Sequence, residues 1–415
     1  MRYRHVVLEH TGDPEVLHVV EDELPEPGAG QARVKILAAD VSFSDVNMRR
    51  GRYPGAPKPP FTPGYAMVGR VDQLGPATAA GRELSALAVG QMVAALTFYG
   101  SYSQYLCLPI EQLVPVPAGV DPAKAVCLVL SYVAAYQMLH RVARVAEGQR
   151  ILVHGAAGGV GTAFLELGRL AGLELYGTAS KPKHPLVARL GATPIDYRTE
   201  DFVVRVTVLT GGQGVDAAFD PMGAAHLRQS AAAVRRHGTV VGYGYYAAAN
   251  RGSAVVLDVV SQYLWLALAT LPPQRKHVAF YDIRARAKRH PDWYRQDLMA
   301  LLDLLAAGKL DPVIAERLPL DEVVRAQREV ERAEVEGKVV LLPHPSSVID
   351  RSPGQCGHAE RRGVSSAPSA THARSGLVAQ HHWSRGRAAG PRRQRTASYR
   401  LTLQTHLLPC HNKTR

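Results

Sequence analysis

Cysteine is scarce in this chain. The 415 residues hold four, Cys107, Cys127, Cys356 and Cys410, and none stands in a Cys-x-x-Cys pair. That spacing implies neither a disulfide framework nor a zinc ribbon. Trp and Phe are few, at three and seven. The first residues, Met1-Arg2-Tyr3-Arg4-His5-Val6-Val7-Leu8-Glu9, lack the apolar core of a signal peptide. The most apolar segment, Ala254–Leu271, contains Asp258 and Gln262 and stops at Pro272-Pro273. It is borderline in length for a membrane span and reads as a buried interface or substrate-loop segment. The expectation is a cytoplasmic protein with no membrane partner.

Acidic residues are outnumbered, 36 against 49 Lys and Arg, for a net charge of +13. Such an excess points to nucleic acid or an anionic surface, but its location weakens that reading. Residues 344–415 carry twelve Lys/Arg and only Asp350 and Glu360, a net of +10, which leaves +3 for residues 1–343. This basic tail is rich in Arg, Ser, His, Ala and Gly and has no sustained apolar period. It cannot bury enough surface to offset ordering entropy, so disorder is expected. Trp383 and Tyr399 are its only large aromatics, which gives stacking on bases little support. A solvated extension, or a coding irregularity that appended unselected sequence, accounts for it better than a nucleic-acid partner.

The strongest positive signal is His154-Gly155-Ala156-Ala157-Gly158-Gly159-Val160-Gly161. An apolar run, Arg150–Val153, precedes it and reads as a buried strand. Thr162–Gly172 follows and reads as a helix stopped by Gly172. Strand, glycine turn and helix together make a dinucleotide site. Gly158, Gly159 and Gly161, with Ala156 and Val160, bring backbone close to a pyrophosphate. The helix N-terminus then presents free N–H groups and a positive dipole end.

An acid about 20 residues further on usually holds the ribose 2′-hydroxyl of NAD. None is present here: the second strand, Leu173–Ala179, ends in Ser180-Lys181-Pro182-Lys183-His184. A hydroxyl and two ammonium groups suit a 2′-phosphate. The cofactor expected is therefore NADPH, with Ser180 and Lys183 as contacts and with Tyr197 and Arg198 closing over the same phosphate. The plainer alternative is a solvated basic turn.

Two textures divide the chain. From Met1 to about Val126 it is β-like and rich in Pro and Gly, with short strands at Ala32–Ala39 and Met67–Val71. From about Cys127 to Val260 strands and helices alternate, at Ile151–His154, Leu173–Thr178, Thr193–Asp196, Val215–Asp220 and Thr239–Tyr243. That spacing predicts a parallel sheet with crossover helices, an α/β fold. A helix over Tyr294–Ala307 and a final strand in Gly337–Leu342 follow. There are no internal repeats.

Ser44-Asp45 with Arg49, Gly51 and Tyr53; Phe61-Thr62-Pro63-Gly64 with Gly69; Val89–Val93; the Ala156–Gly161 turn; Leu190-Gly191-Ala192; and Gly337-Lys338-Val339-Val340-Leu341 occur in this order. The pattern over residues 1–343 resembles the medium-chain dehydrogenase/reductase superfamily. Within it, the chain looks like the zinc-independent quinone oxidoreductase and enone reductase branch. The resemblance implies a GroES-like catalytic domain at 1–126, a Rossmann NADP-binding domain at 127–265, a return to the catalytic domain at 266–343, and the tail beyond. It also implies cofactor contacts at Gly223, Gly242, Tyr243 and Lys338, and a homodimer joined at sheet edges, for which the alternating run Lys276–Ile283 is suited.

Zinc-dependent members place ligands where this chain has Ser42, Gly64-Tyr65-Ala66 and Leu130, so no metal is expected. Without a Lewis acid, conjugated acceptors are easier to reduce than simple carbonyls. The reading is an NADPH-dependent oxidoreductase passing hydride to a quinone or to the C=C of an α,β-unsaturated carbonyl. The protein must then supply position and a hydrogen-bond donor at the carbonyl oxygen. The resemblance nominates Tyr53 as that donor, with Asn47 and Ser42 in the same loop, Ser42–Gly55; the alternative for Tyr53 is that it packs and caps the loop, and for Ser42 and Asn47 that plainer reading leads. A Thr frequent in relatives is replaced by Ala134, with Ser131 or Tyr132 as substitutes, and an acid by Ala66. These departures motivate a second reading, an NADPH-binding protein with little turnover that acts through partners. Nucleic-acid binding through the tail is a third.

Overall fold

The structure, a computed structural model, describes residues 1–76, 87–244, 264 and 276–344. The expected tail disorder and, Leu264 apart, the segment Ala254–Leu271 lie outside the described residues. The described residues belong to one unit, Met1–Ile349.

The first half supplies β1 (Arg2–Leu8), β2 (Leu17–Glu23), β3 (Gln31–Val41), β4 (Ala66–Leu74), β5 (Met92–Leu96), β6 (Tyr105–Pro109) and β7 (Val114–Pro115). The middle supplies β8 (Arg150–His154), β9 (Glu174–Ala179), β10 (Ala192–Asp196), β11 (Val215–Asp220), β12 (Val234–Gly242) and β13 (His277–Phe280). The return adds β14 (Ile314–Pro319) and β15 (Lys338–Leu342). One sheet runs β14-β15-β3-β4-β5-β7, with β6 also on β3; a two-stranded ribbon joins β1 and β2. The other runs β10-β9-β8-β11-β12-β13, every pair parallel. That order is the doubly wound nucleotide-binding arrangement, whose switch point lies between β8 and β11. Ile151, Leu152 and Val153 on β8 are all fully buried, as a strand covered by helices on both faces must be.

The helices, in chain order, are α1 (Phe43–Arg49), α2 (Pro122–Ala143), α3 (Gly159–Leu170), α4 (His184–Arg189), α5 (Phe202–Leu209), α6 (Ala224–Ala233), α7 (Ile283–Arg289), α8 (Pro291–Ala306) and α9 (Val323–Arg332). Asp121 caps α2 by accepting from the Ala123 N–H at 2.9 Å, and Pro122 opens it. Its path includes two π-helical stretches, Leu128–Tyr132 and Met138–Ala143. Among the described residues α2 is the one helix long and apolar enough to cross a membrane, and 72% of that apolar window is buried inside the fold. It packs as a core helix.

The expected boundaries move. Helix α2 runs straight through position 126, touching β3 and β4 with its start and α3 and α8 further on. The nucleotide-binding sheet does not end at 265, because β13 pairs with β12 as its sixth strand. The alternation in Lys276–Ile283 reads as one long strand, yet pairing stops at Phe280. Asp282 then caps α7 through the Ala285 N–H at 3.0 Å. The catalytic sheet resumes only at β14. The expected loop at 42–55 is in its first part helix α1.

Candidate active site

One cleft of about 1110 Å3 is lined from both sheets. Ser42, Asn47, Tyr53, Gly158, Gly159, Val160, Gly161, Ser180, Lys183, Tyr197, Tyr243 and Lys338 all line it. Ala156, Gly223 and Gly242 are not among the lining residues.

The glycine turn does what its sequence implies, with a division of labour. Gly155 has φ +64°, a left-handed conformation that suits glycine. A Cβ on Gly161 would stand 2.2 Å from the Gly155 carbonyl oxygen and 2.7 Å from Ala156 backbone. Gly161 is thus required for the helix to fold tightly back on the turn, while Gly158 and Gly159 face the cleft. The N-cap of α3 is Gly158, with no side-chain cap and no acid in the first turn. Its first N–H groups and dipole end remain available to an anion. The turn is tied to the return strand: the Gly337 N–H donates to Ala157 O at 2.8 Å. The Lys338 side chain lies against Gly159, and its ammonium pairs with buried Asp40 at 2.6 Å and donates to Val41 O at 3.2 Å. Lys338 therefore ties β15 to β3 within one sheet while its stem packs on the glycine turn, its charge already matched.

Beyond β9, Ser180 and Lys183 face the cleft but Lys181 does not; Lys181 and His184 line a separate surface hollow beside β10. Only one ammonium of the pair is available, and it is engaged. Lys183 Nζ donates to Ala333 O at 2.7 Å and Val335 O at 2.9 Å. Burial lowers its pKa from the usual lysine range. Tyr197 is half exposed, with the Arg198 guanidinium over its ring at 5.8 Å. Arg332, at the end of α9, lines the same region. Sequence reasoning missed it because α9 is far away in the chain and carries no motif.

At the other end Ser42 caps α1 in a capping box. Its Oγ donates to Asp45 Oδ2 at 2.7 Å, and the same carboxylate oxygen accepts the Ser42 N–H at 2.9 Å. Asp45 Oδ1 takes the Gly64 N–H at 3.1 Å. Burial pushes the Asp45 carboxyl up to about 6, against the lowering effect of those bonds to Ser42. Asn47 lines the cleft, with its amide oxygen buried and without a hydrogen-bond partner.

Tyr53 is paired with Tyr65, hydroxyl to hydroxyl at 2.6 Å. Tyr65 is fully buried and stacks edge-on against Phe98 and Tyr53. Either hydroxyl can donate in this pair; the arrangement that satisfies buried Tyr65 has Tyr65 donating and Tyr53 accepting. The Tyr53 hydrogen is then free for the cleft. Burial raises the pKa of both phenols, so both stay protonated donors. Nothing in the sequence announces Tyr65 as a partner, since the contact depends on how β4 meets the loop after α1. Of the two substitutes for the missing Thr, buried Ser131 lines the cleft. Tyr132 is turned away, its hydroxyl donating to Glu166.

The family's zinc position does not fit a metal. Ser42 Oγ is committed to Asp45, Tyr65 to Tyr53, and Leu130 offers no donor. These hydroxyls are not the thiolate, imidazole or carboxylate ligands that zinc takes.

A GroES-like sheet facing a doubly wound parallel sheet across one cleft defines the architecture of an alcohol-dehydrogenase-like oxidoreductase. An alcohol dehydrogenase GroES-like domain model matches residues 28–118, and a zinc-binding dehydrogenase model matches residues 190–341. The synaptic vesicle membrane protein VAT-1 homolog of Homo sapiens is 30% identical over 332 residues, 77% of this chain and 81% of that protein. The Rattus norvegicus homolog is 30% identical over 336 residues, covering 77% and 79%. Among solved structures, a quinone oxidoreductase of Pseudomonas syringae pv. Tomato DC3000 is 30% identical with TM-score 0.70, covering 82% of this chain and 100% of that one. A mycobacterial protein complexed with NADPH is 28% identical with TM-score 0.71 and the same coverage. The chain belongs to the medium-chain dehydrogenase/reductase superfamily, in its quinone oxidoreductase-like branch.

Proposed function

We propose that this chain is an NADPH-dependent oxidoreductase that reduces a quinone or the conjugated C=C of an α,β-unsaturated carbonyl without a metal at the reacting carbonyl. The observation that carries the reading is the Tyr53–Tyr65 hydroxyl pair in the cleft that also holds the glycine turn; by the resemblance, Tyr65 stands where zinc-dependent members place a ligand. A mycobacterial relative solved with NADPH supports the cofactor. Bound NADPH supplies the hydride.

The chain's own residues do the rest. The uncapped N-terminus of α3 and the backbone of Gly158 and Gly159 receive the pyrophosphate. Ser180, Lys183, Tyr197 and Arg198, joined by Arg332, surround the 2′-phosphate; Lys183 exchanges its two carbonyl acceptors for phosphate oxygens. Tyr53 donates its free hydroxyl hydrogen to the carbonyl oxygen on which negative charge develops. Tyr65 is a positioning residue that holds the Tyr53 oxygen. Leu130 and Ala134 keep that end of the cleft apolar and exclude water. Among the described residues β13 is the last strand of the parallel sheet, a position suited to a homodimer joined at sheet edges.

The test is a screen of small quinones and enones with purified protein, comparing NADPH with NADH. Acceptor-dependent NADPH consumption, with NADH poorer, is expected. NADPH binding without consumption across a broad panel would favour the binding-protein reading instead.

A further inference from the structure

On the nucleotide side of the cleft, His154, Asp220 and His226 bring one ligand atom each to within 4.8 Å of the others. His154 ends β8, Asp220 ends β11 and His226 lies in the first turn of α6. None comes from the elements that carry Tyr53 and Tyr65. We infer that these three side chains form a site for a borderline divalent cation of the zinc type, with Ser230 Oγ as a fourth contact. This departs from the metal-free chain expected of the sequence, and it is separate from the family's zinc position.

The geometry supports it in three ways. First, the atoms of His154 and Asp220 that would not ligate are already held. His154 Nδ1 lies 3.1 Å from Thr178 Oγ1, and Asp220 Oδ1 accepts the Met222 N–H at 2.8 Å. Those bonds aim His154 Nε2 and Asp220 Oδ2 inward, as outer-sphere partners do for metal ligands. Second, the inward atoms converge. Ser230 Oγ is 3.0 Å from His154 Nε2 and 2.5 Å from Asp220 Oδ2, and His226 Nδ1 is 2.7 Å from Asp220 Oδ2. Ligands about 2.0–2.1 Å from one zinc stand about 3.3 Å apart. The widest pair need close by at most about 1.5 Å, within the reach of a side-chain rotation by His226, which is part-exposed on the cleft rim. Third, the donor chemistry is matched. Two imidazoles and one carboxylate select zinc or cobalt over magnesium or calcium.

The test uses the full chain, stripped with a chelator and titrated with Zn2+ and with Co2+. One tightly held equivalent is expected by elemental analysis, with the visible absorption of low-coordinate cobalt. His226→Ala and Asp220→Asn should each weaken binding at least about 100-fold while circular dichroism shows the fold retained. The tail holds its own adjacent pair, His381 and His382, so a His381→Ala/His382→Ala variant is included and should bind as the parent does. Binding that survives His226→Ala, that is lost with the tail pair, or that never reaches one equivalent overturns the site. None of these readouts depends on turnover.

Discussion

Replacing Tyr53 by Phe removes a single oxygen, one that lies 2.6 Å from Tyr65 Oη and carries the hydrogen left free for the cleft. Loss of one donor to a developing oxyanion costs about 2.7–4 kcal/mol, or roughly 10²–10³ in kcat. Tyr65→Phe leaves the Tyr53 hydroxyl in place but unheld. That loss is one neutral hydrogen bond, about 1 kcal/mol, so kcat should fall only about 5-fold. The Tyr65 ring still packs on Phe98 at 5.2 Å between centroids, so this variant should fold. Because Tyr65 acts through Tyr53, the double variant should match Tyr53→Phe rather than multiply the two losses. The assay is steady-state NADPH consumption with the best acceptor of the screen, with kcat and KM for both substrates. KM for NADPH should stay put in all three variants. A Tyr53→Phe enzyme within about 3-fold of the parent, or a Tyr65→Phe enzyme worse than Tyr53→Phe, would refute the donor assignment.

Three further expectations follow from the same geometry. Gly161→Ala forces a Cβ to 2.2 Å from the Gly155 carbonyl oxygen; overpacking of this kind costs about 1–3 kcal/mol, so both Tm and NADPH affinity should drop, and an unchanged Kd would show that the turn is not the pyrophosphate site. Lys183→Ala removes a charge-assisted bond worth about 1.5–3 kcal/mol, so the preference for NADPH over NADH should fall roughly 10- to 100-fold in kcat/KM, whereas a uniform loss for both cofactors would make Lys183 a structural clasp. Asp45, with its carboxyl raised to about 6, binds its proton more tightly folded than unfolded, so its contribution to stability is greatest below about pH 4 and declines as pH rises through about 6, by roughly 3 kcal/mol at most; chemical denaturation at several pH values should show this slope in the parent and not in Asp45→Asn, and equal slopes would remove the assignment.

The architecture could be read from residues wherever the relevant contacts are local. The strand, glycine turn and helix at 150–170 are contiguous, and their periodicity and turn chemistry suffice to place them. Boundaries were less accessible. The strand at 277–280 and the helix at 122–143 join elements distant in the chain, and the alternation of one segment does not say which sheet it will enter. The site divides the same way. Gly158, Gly159, Ser180 and Tyr197 are cleft residues because they lie in the segments that follow strand ends of the parallel sheet. Lys183 and Lys338 were expected as cofactor contacts, but their ammonium groups are matched by Ala333, Val335 and Asp40, partners supplied by another part of the chain. Tyr65, Arg332 and the His154–Asp220–His226 group arise only when separate elements meet, so no spacing announces them.

The proposed transfer of hydride from NADPH to a conjugated acceptor leaves an isotopic record. The most direct measurement uses NADPH deuterated at the transferring position, an enone from the screen and purified full chain, with the product analysed by mass spectrometry and NMR. One deuterium on the β-carbon, in step with NADPH consumed and suppressed in Tyr53→Phe, is the predicted result. NADPH that binds but is not consumed with any acceptor, or label found elsewhere than the β-carbon, would contradict it.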